Sequence, residues 1–180
     1  MGRAVIINIP PFDIFGANLG TYSQIKKSFY FWYFQMQRVI EDRIRQDDFA
    51  FIRDIWGDWS PGYEADEDMV HIREALADPD HLHAALGYYW GQFDPTRFGS
   101  PEWASEQEAA WGGSAPQPVL YLHGTNDGCH GMSKEQVDEV PGFAGPDSEA
   151  ELIEGVGHFM LVERPVEINE RILGWLQRTS

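Results

Sequence analysis

Apolar strand patterns and helical patterns alternate between residues 116 and 180, and this alternation constrains the fold more than any other feature of the chain. The predicted strands and helices are, in order, "QPVLYLHG" (117–124), "SKEQVDEV" (133–140), "AELIEG" (150–155) and "RPVEINERILGWLQR" (164–178). Strands that alternate with helices form βαβ units, in which the strands are parallel. The closing helix should place one apolar face against the sheet: Ile168, Ile172 and Trp175 or Leu176.

A further strand is predicted near the N-terminus. "RAVIINIPPF" (3–12) contains a β-branched apolar run that two prolines stop, which is typical of a strand buried on both faces of a parallel sheet. The strand should cover residues 4–9. The chain between this strand and Pro116 has helical patterns. We therefore expect an α/β core made of residues 1–11 and 116–180, interrupted by a helical insertion at residues 12–115.

The insertion carries several helix signals. An amphipathic pattern predicts one long helix from Thr21 to about Arg45. Asp66 is predicted to be the N-cap of a later helix. Asp78 and Ser100 each precede a proline that would occupy the first helical position, so both are predicted N-caps.

Composition limits the classes of function. The 180 residues are 43% hydrophobic, which is enough for one domain with a sizeable core. Thirteen basic and 29 acidic residues give a net charge of −16, which argues against nucleic-acid partners because phosphate-binding surfaces need clustered Lys and Arg. No run approaches the about 18 to 20 apolar residues of a membrane span. Cys129 is the single cysteine, so no intrachain disulfide can form, and we expect the reducing cytoplasm as the compartment and an apolar packing role for Cys129.

Two chemically active side chains follow the last two predicted strands. Asp127 lies in the turn "TNDGCHG" (125–131), and His158 lies in the glycine-flanked loop "VGHF" (156–159). Parallel neighbouring strands end at the same edge of a sheet, where α/β proteins bind ligands. A carboxylate bonded to an imidazole fixes its tautomer and stabilises its protonated form, as a general base needs. An Asp that only shapes a turn, with an unrelated loop His, is the alternative. For His123 and His130, which flank the acid turn, surface or supporting roles are expected, since no metal-ligand spacing accompanies them.

These segments resemble a known family. "PVLYLHGTNDG", the later "VGHFMLVERPVEINERILGWL" and the helical insertion after "INIPP" are similar to the C-terminal half of the α/β-hydrolases, in the epoxide hydrolase and haloalkane dehalogenase branch. The resemblance covers essentially the whole chain. It implies three parallel strands of the hydrolase sheet with flanking helices, interrupted by an all-helical cap at residues 12–115. It also implies Asp127 as the acid and His158 as the base of a catalytic triad, without a cofactor or metal.

The same resemblance suggests a substrate class. "FYFWYFQ" and "LGYYWGQ" match the two cap segments in which epoxide hydrolases carry tyrosines that polarise the epoxide oxygen, and this match assigns Tyr30 and Tyr89 to substrate binding. Both residues also lie in aromatic clusters, where tyrosine commonly serves packing alone. A small apolar epoxide, ester or halide is the expected substrate.

The triad lacks a nucleophile in this sequence. "DWSPG" (58–62) differs from G-x-S-x-G at its first position, follows a helical pattern, and has Pro61 where a main-chain N–H is needed. "WGGSAP" (111–116) has alanines before its Trp where the family has His and Asp, so we interpret it as a flexible exit from the insertion. We therefore expect a longer protein with an upstream nucleophile and an inactive isolated chain. A degenerate, non-catalytic protein that kept the cap pocket is the alternative. The strand at residues 4–9 would be an apolar unpaired edge, which favours pairing with a second copy, a possible homodimer.

Overall fold

A computed structural model describes residues 2–178, and within them three strands form one parallel sheet in the order β1-β2-β3. The strands are β1 (Ala4–Ile7), β2 (Val119–Gly124) and β3 (Glu149–Ile153). In the ladders Ala4 is opposite Val119, and Leu120 is opposite Glu149. The predicted parallel sheet is thus confirmed, with β2 at its centre.

The N-terminal strand differs from its prediction in length and burial. Asn8 has φ 59°, a left-handed conformation that ends the strand at Ile7 rather than at residue 9. All four β1 residues are only partly buried, whereas every residue of β2 is buried. β1 lies at an edge of the sheet, so strand pairing covers one side of it, and the expectation of a strand buried on both faces was wrong.

Eleven α-helices occur in the described part of the chain. They are α1 (Phe12–Leu19), α2 (Tyr22–Lys27), α3 (Phe29–Tyr33), α4 (Gln37–Arg45), α5 (Ala50–Trp59), α6 (Asp66–Leu76), α7 (Pro79–Gln92), α8 (Pro101–Trp111), α9 (Lys134–Glu139), α10 (Met160–Glu163) and α11 (Pro165–Arg178). Short 3₁₀ helices cover Gln46–Phe49 and Val140–Phe143. We call residues 12–111 the helical segment. Within residues 2–178, no helix combines the length and apolarity that crossing a membrane requires.

The long helix predicted from Thr21 to Arg45 is divided into α2, α3 and α4. Phe34 and Ile40 are both buried in the same cluster, yet an uninterrupted helix would turn them roughly 120° apart because it has about 3.6 residues per turn. The non-helical backbone of Met36 (φ −79°, ψ 61°) changes the direction in which the side chains of α4 point. The break therefore allows the aromatic residues and the isoleucines of α4 to share one core.

The predicted helix caps were correct at two of three positions. Asp78 accepts from the N–H of Asp80 at 2.9 Å, and Ser100 accepts from the N–H of Trp103 at 3.1 Å. Asp66 is not an N-cap but the first residue of α6, preceded by Ala65, and its carboxylate pairs with Arg53. An acidic residue in the first turn also interacts favourably with the helix dipole. An Asp near the start of a helix is therefore compatible with either the N-cap or the first turn.

Apolar clusters cover both faces of the sheet and fill the helical segment. α11 packs on one face, where the cluster comprises Leu120, Leu122, Ile153, Val156, Met160, Ile168 and Trp175, with Ile172 and Leu176 partly buried against it. This confirms the predicted inner face of the closing helix. The opposite face carries Ile14, Tyr121, Val137 and Val140. The helical segment has its own core around Tyr30, Phe31, Phe34, Ile40, Ile44, Leu82 and Leu86.

Candidate active site

The loops after β2 and β3 bring Asp127 and His158 into contact. Nδ1 of His158 lies 3.0 Å from Oδ2 of Asp127, and the two preceding strands are parallel neighbours. The Asp127 side chain is 1% exposed and that of His158 is 16% exposed, so solvent reaches the imidazole but not the carboxylate. The proximity predicted from the strand ends is confirmed.

Main-chain donors fix the Asp127 carboxylate. Oδ1 accepts from the N–H of Cys129 at 2.7 Å and from the N–H of His130 at 2.9 Å. This is the turn-forming habit of aspartate, whose side chain bonds main-chain groups two residues on. Because Oδ1 is occupied in this way, Oδ2 is directed to His158. The turn role and the imidazole contact are therefore combined in one side chain rather than being alternatives.

The charge state of His158 follows from its partners. Burial lowers the pKa of the imidazole, but the hydrogen bond with Asp127 and the proximity of Cys129 outweigh burial and raise that pKa to about 10. At neutral pH the ring is therefore protonated, and Nδ1 donates to the carboxylate. This arrangement stabilises an imidazolium, which is the species that a general base becomes when it takes a proton.

The end of α5 holds both loops. The carbonyl oxygen of Trp59 accepts from the N–H of Gly128 at 3.1 Å and from the N–H of His158 at 2.9 Å. The fully buried hydroxyl of Ser60 accepts from the N–H of Phe159 at 3.0 Å. Residues 58–62, whose sequence does not fit a nucleophile turn, thus help to position the acid and base loops.

Two glycines make this close approach possible. A Cβ on Gly128 would lie 1.8 Å from the carbonyl oxygen of Asp58, and a Cβ on Gly157 would lie 2.6 Å from Cα of Ser60. Real Cβ atoms do not come this close to main-chain atoms. The glycines beside Asp127 and His158 therefore allow the two loops to pack against the end of α5. The sequence shows that the loops contain glycine, but it does not show what the glycines contact.

Asn8 is a site residue that sequence reasoning missed. Its Nδ2 donates to the carbonyl oxygen of His158 at 2.6 Å, and its Oδ1 accepts from the N–H of Gly124 at 3.1 Å. Asn8 thereby joins the end of β1 to the ends of the other two strands. The available signal was an Asn directly after a strand and before Ile-Pro-Pro, because Asn tolerates the left-handed conformation that ends a strand.

The helical segment also contacts the acid loop. Gln24 of α2 donates from Nε2 to the carbonyl oxygen of Cys129 at 2.9 Å and accepts at Oε1 from the N–H of Gly131 at 3.0 Å. The Lys27 ammonium donates to the carbonyl oxygen of Asp127. These contacts place α2 directly over the loop that carries the carboxylate.

Tyr30 and Tyr89 lie together beside this loop. Their ring centroids are 5.7 Å apart in an edge-to-face arrangement, and the hydroxyl of Tyr30 lies 3.3 Å from Sγ of Cys129. Burial, followed by the nearby Cys129, raises the pKa of both phenols, that of Tyr89 to about 12. Both hydroxyls thus keep their protons at neutral pH and can donate hydrogen bonds.

The two histidines that flank the acid turn are buried, so of the two roles expected for them the supporting role applies and the surface role does not. His123 lies between the hydroxyl of Tyr121 (2.9 Å from Nδ1) and the carbonyl oxygen of His130 (3.0 Å from Nε2). Burial lowers the pKa of both imidazoles, that of His130 to about 4. Both rings are therefore neutral at physiological pH and support the turn from beneath.

One set of ligand atoms could accommodate a metal ion. Among the described residues, Asp127, Cys129 and His158 offer an oxygen, a sulfur and a nitrogen that all lie within 4.8 Å of one another. Zn²⁺ accepts such ligands. However, Oδ1 of Asp127 is engaged by two N–H groups and Oδ2 by His158. The observed bonding therefore suits proton exchange better than it suits direct ligation by the carboxylate.

An apolar cavity lies near the imidazole, although His158 does not line it. It has a volume of about 240 Å³, and its walls include Ile44, Ile55, Leu82, Leu86, Tyr89 and Phe159. Trp59 and Phe159 both contribute to the wall and contact the His158 ring, with centroids 5.2 Å from it. The cavity thus lies one aromatic layer away from the Asp127–His158 pair.

Solved structures share this arrangement of sheet and helices. An epoxide hydrolase from Bacillus megaterium, solved as a point mutant, superposes with a TM-score of 0.69 over 97% of this chain and 60% of that structure, at 19% identity. The Cif epoxide hydrolase from Acinetobacter nosocomialis gives a TM-score of 0.66 over 97% of this chain and 53% of that structure, at 20% identity. The chain has an α/β-hydrolase fold.

The sequence comparison, like the structural comparison, finds similarity to an epoxide hydrolase. Epoxide hydrolase A from Mycobacterium tuberculosis is 26% identical over 189 aligned positions, which cover 93% of this chain and 56% of that protein. No protein-family model matches the chain. The chain therefore spans just over half the length of this relative. The resemblance to the epoxide hydrolase branch, stated above from the motifs, is confirmed.

Proposed function

We propose that this chain supplies the acid, the base and the cap of a cofactor-free hydrolase that acts on a small apolar epoxide, ester or halide. Asp127 is the acid and His158 the base. The observation that carries the proposal is the 3.0 Å contact between Nδ1 of His158 and Oδ2 of Asp127 at the carboxyl edge of two adjacent parallel strands. The second oxygen of the carboxylate is held by main-chain donors, so the pair is preorganised.

In this proposal, residues 1–11 and 116–180 form part of the hydrolase core, and residues 12–115 form its cap. Three contacts between the cap and the catalytic loops support the division: Gln24 with Cys129, Trp59 with His158, and Ser60 with Phe159. A cap that touches both loops can shield the reacting groups from bulk water.

The substrate class follows from the cavity and the tyrosines. The walls of the cavity near His158, which include Tyr89 but not Tyr30, are almost entirely apolar, and this suits a small apolar molecule. Tyr30 and Tyr89 are protonated donors at neutral pH, and an epoxide oxygen that gains negative charge as its ring opens needs such donors. Tyr30 and Tyr89 are therefore proposed to bind substrate and to favour epoxides over esters and halides.

The reaction requires a nucleophile that this chain does not offer at the positions where the family carries it. A carboxylate or hydroxyl nucleophile would attack carbon and form a covalent ester, and His158 would then take a proton from the water that hydrolyses it. Because the ring must be neutral for that step and its pKa is raised to about 10, hydrolysis should accelerate from neutral toward alkaline pH. The isolated chain is proposed to be inactive.

Compartment and partners are proposed on simpler grounds. A single cysteine without a disulfide suits the reducing cytoplasm. The net charge of −16 disfavours nucleic acid. The outer side of β1 has no strand partner among the described residues, so a second copy could pair there and form a homodimer.

The test begins with the coding DNA upstream of Met1. If the reading frame continues through a strand and a glycine-flanked Asp or Ser, the longer protein should convert styrene oxide to its diol, release halide from 1-bromobutane, or give a burst with p-nitrophenyl acetate. Asp127→Asn and His158→Gln should each abolish turnover, whereas His71→Gln, at an exposed histidine, should not. Full turnover by either site variant would overturn the assignment.

The alternative is a non-catalytic protein that binds an apolar ligand. The observation that favours it is the apolar cavity, whose walls come from the helical segment and from Phe159. An in-frame stop codon directly before Met1, together with saturable quenching of tryptophan fluorescence by an apolar ligand such as 1-octanol, would favour this alternative. Turnover by the 180-residue chain itself would exclude it.

A further inference from the structure

Two helices line the apolar cavity near His158 with the same order of side chains. On α5 the wall residues have the spacing i, i+3, i+4 and i+7, which is one face of a helix: Ile52, Ile55, Trp56 and Trp59. On α7 they have the same spacing: Leu82, Ala85, Leu86 and Tyr89. Each helix therefore contributes a stripe that begins with aliphatic side chains and ends with an aromatic one.

The aromatic ends of the two stripes meet beside the Asp127–His158 pair. The ring centroid of Tyr30 lies 5.0 Å from that of Trp59 and 5.7 Å from that of Tyr89, so both rings contact the same phenol. The Trp59 ring also lies 5.2 Å from the His158 ring. The cavity thus has an aromatic end next to the candidate active site and an aliphatic end formed by the earlier residues of α5 and α7.

The dimensions of the cavity match a single hydrocarbon chain. From Ile52 to Trp59 the stripe on α5 is about 10 Å long, because a helix rises about 1.5 Å per residue. A volume of about 240 Å³ over this length leaves a mean width of about 5 Å. Carbon atoms in contact lie about 3.5–4.0 Å apart, so one alkyl chain fits this width and two side by side do not. A zigzag chain of roughly six to eight carbons, with bonds of about 1.5 Å, spans the length.

The two ends of the cavity differ in polarity. The aliphatic side chains have no polar atoms, and a polar group buried among them without a hydrogen bond would cost free energy. The aromatic end carries donors: the indole N–H of Trp56 is buried without a hydrogen-bond partner among the described residues, and the pKa of Tyr89, raised to about 12 by burial, keeps its phenol protonated. A molecule with a saturated tail and one oxygen at its end suits both environments.

We propose that the cavity holds an unbranched alkyl chain of roughly six to eight carbons, and that the substrates are aliphatic epoxides with the ring at the end of that chain. The inference rests on the proposed function, because it takes the Asp127–His158 pair as the reacting end, and it adds which epoxides are hydrolysed. The ring lies at the aromatic end, since Tyr89 belongs both to the cavity wall and to the tyrosine pair. An epoxide with alkyl groups on both carbons would have to place one of them outside the cavity, and a phenyl ring would leave the aliphatic end unfilled.

The first experiment measures the binding of straight-chain alcohols, from 1-butanol to 1-decanol, to the folded 180-residue chain. These probes carry the chain and an oxygen but cannot react, and Trp56 and Trp59 in the wall report binding through tryptophan fluorescence. The dissociation constant should fall about threefold to fourfold for each added methylene, as expected for burying that group, and should stop falling beyond about eight carbons. Cyclooctanol, with eight carbons in a ring, should bind at least about tenfold more weakly than 1-octanol because it overfills the width. A dissociation constant that is independent of chain length, or equal binding of the two eight-carbon alcohols, would overturn the inference.

Ala85→Leu tests whether the chain lies in this cavity. The larger side chain takes up part of the space between α5 and α7, so the length at which the dissociation constant stops falling should shorten by about two carbons. Ala84→Leu is the matched control, because Ala84 is an exposed residue of the same helix and does not line the cavity. If Ala85→Leu does not fold, the wild-type series and cyclooctanol decide the matter. An unchanged series in folded Ala85→Leu would place the chain elsewhere and would overturn the inference.

The second experiment uses the longer protein with its upstream nucleophile and compares three epoxides. The kcat/KM for 1,2-epoxyoctane should exceed the values for styrene oxide and for 4,5-epoxyoctane by at least about tenfold, since a filled apolar pocket discriminates by this much. Hydrolysis with equal or reversed preference would overturn the inference and leave the proposed function intact. Chain-length-dependent binding of the alcohols without hydrolysis of any epoxide would count against the proposed function and would leave the occupant of the cavity assigned.

Discussion

The carbonyl oxygen of Trp59 accepts a hydrogen bond from the N–H of His158 at 2.9 Å, and so joins the end of α5 to the loop that carries the imidazole. The same oxygen accepts from the N–H of Gly128, the residue after Asp127, at 3.1 Å. One main-chain group of the helical segment therefore sets the positions of both loops. Substitutions near Trp59 should therefore alter the distance between the side chains of Asp127 and His158.

Ser60→Ala should destabilise the protein. The Ser60 hydroxyl is fully buried and accepts from the N–H of Phe159 at 3.0 Å. Its loss leaves a buried N–H without a partner, which costs about 1–3 kcal/mol in the free energy of unfolding. Urea denaturation measures the effect. The control is Ser105→Ala, at an exposed position of α8, which should change stability by less than about 0.5 kcal/mol. Equal stability of both variants would contradict the role assigned to Ser60.

Gly128→Ala should be far more damaging than an ordinary glycine replacement. The new Cβ would lie 1.8 Å from the carbonyl oxygen of Asp58, so the acid loop or the end of α5 has to move. The matched control is Gly87→Ala in α7, where nothing lies within 4 Å of the added Cβ; alanine should stabilise that helix by about 0.5–1 kcal/mol. Thermal unfolding of the two variants should therefore shift in opposite directions. A shift of both in the same direction would argue against the close approach at Gly128.

The contact between Asp127 and His158 could be predicted from sequence because it depends on local patterns. A strand followed by a turn, repeated once, is enough to place two loops at one edge of a sheet. The turn role of Asp127 was recognisable for the same reason. Helix caps at Asp78 and Ser100 are equally local, and they too were predicted correctly.

The contacts of Asn8, Trp59 and Ser60 could not be predicted in this way. Each joins residues about 70 or more positions apart, and the partner group is always on the main chain, which every residue possesses, so the sequence does not identify the partner. The burial of β1 was misjudged because an apolar strand has the same composition at the edge of a sheet as at its centre. The breaks at Ser28 and Met36 likewise depend on which core the aromatic residues share.

The raised pKa of His158 predicts a specific dependence of stability on pH. Since the folded-state pKa of about 10 exceeds the usual value of 6.5, the folded state holds the proton more tightly than the unfolded state does. The stabilisation is fully present below about pH 6.5 and is lost as pH rises toward 10, by an amount on the order of a few kcal/mol. Urea denaturation of the wild type at several pH values should show this loss, and it should be absent in His158→Gln. A parallel pH dependence of the two proteins would exclude His158 as its source.

The most direct test of the Asp127–His158 pair is the NMR titration of the His158 ring in the wild type and in Asp127→Asn. Asparagine keeps the shape of the side chain and the acceptor for the N–H groups of Cys129 and His130 but removes the charge. We expect a wild-type pKa well above 6.5 and a fall of more than about one unit in the variant, because without the carboxylate charge less opposes the lowering of the pKa by burial. A wild-type pKa at or below 6.5, or an unchanged value in Asp127→Asn, would contradict the pairing on which the proposed acid and base roles depend.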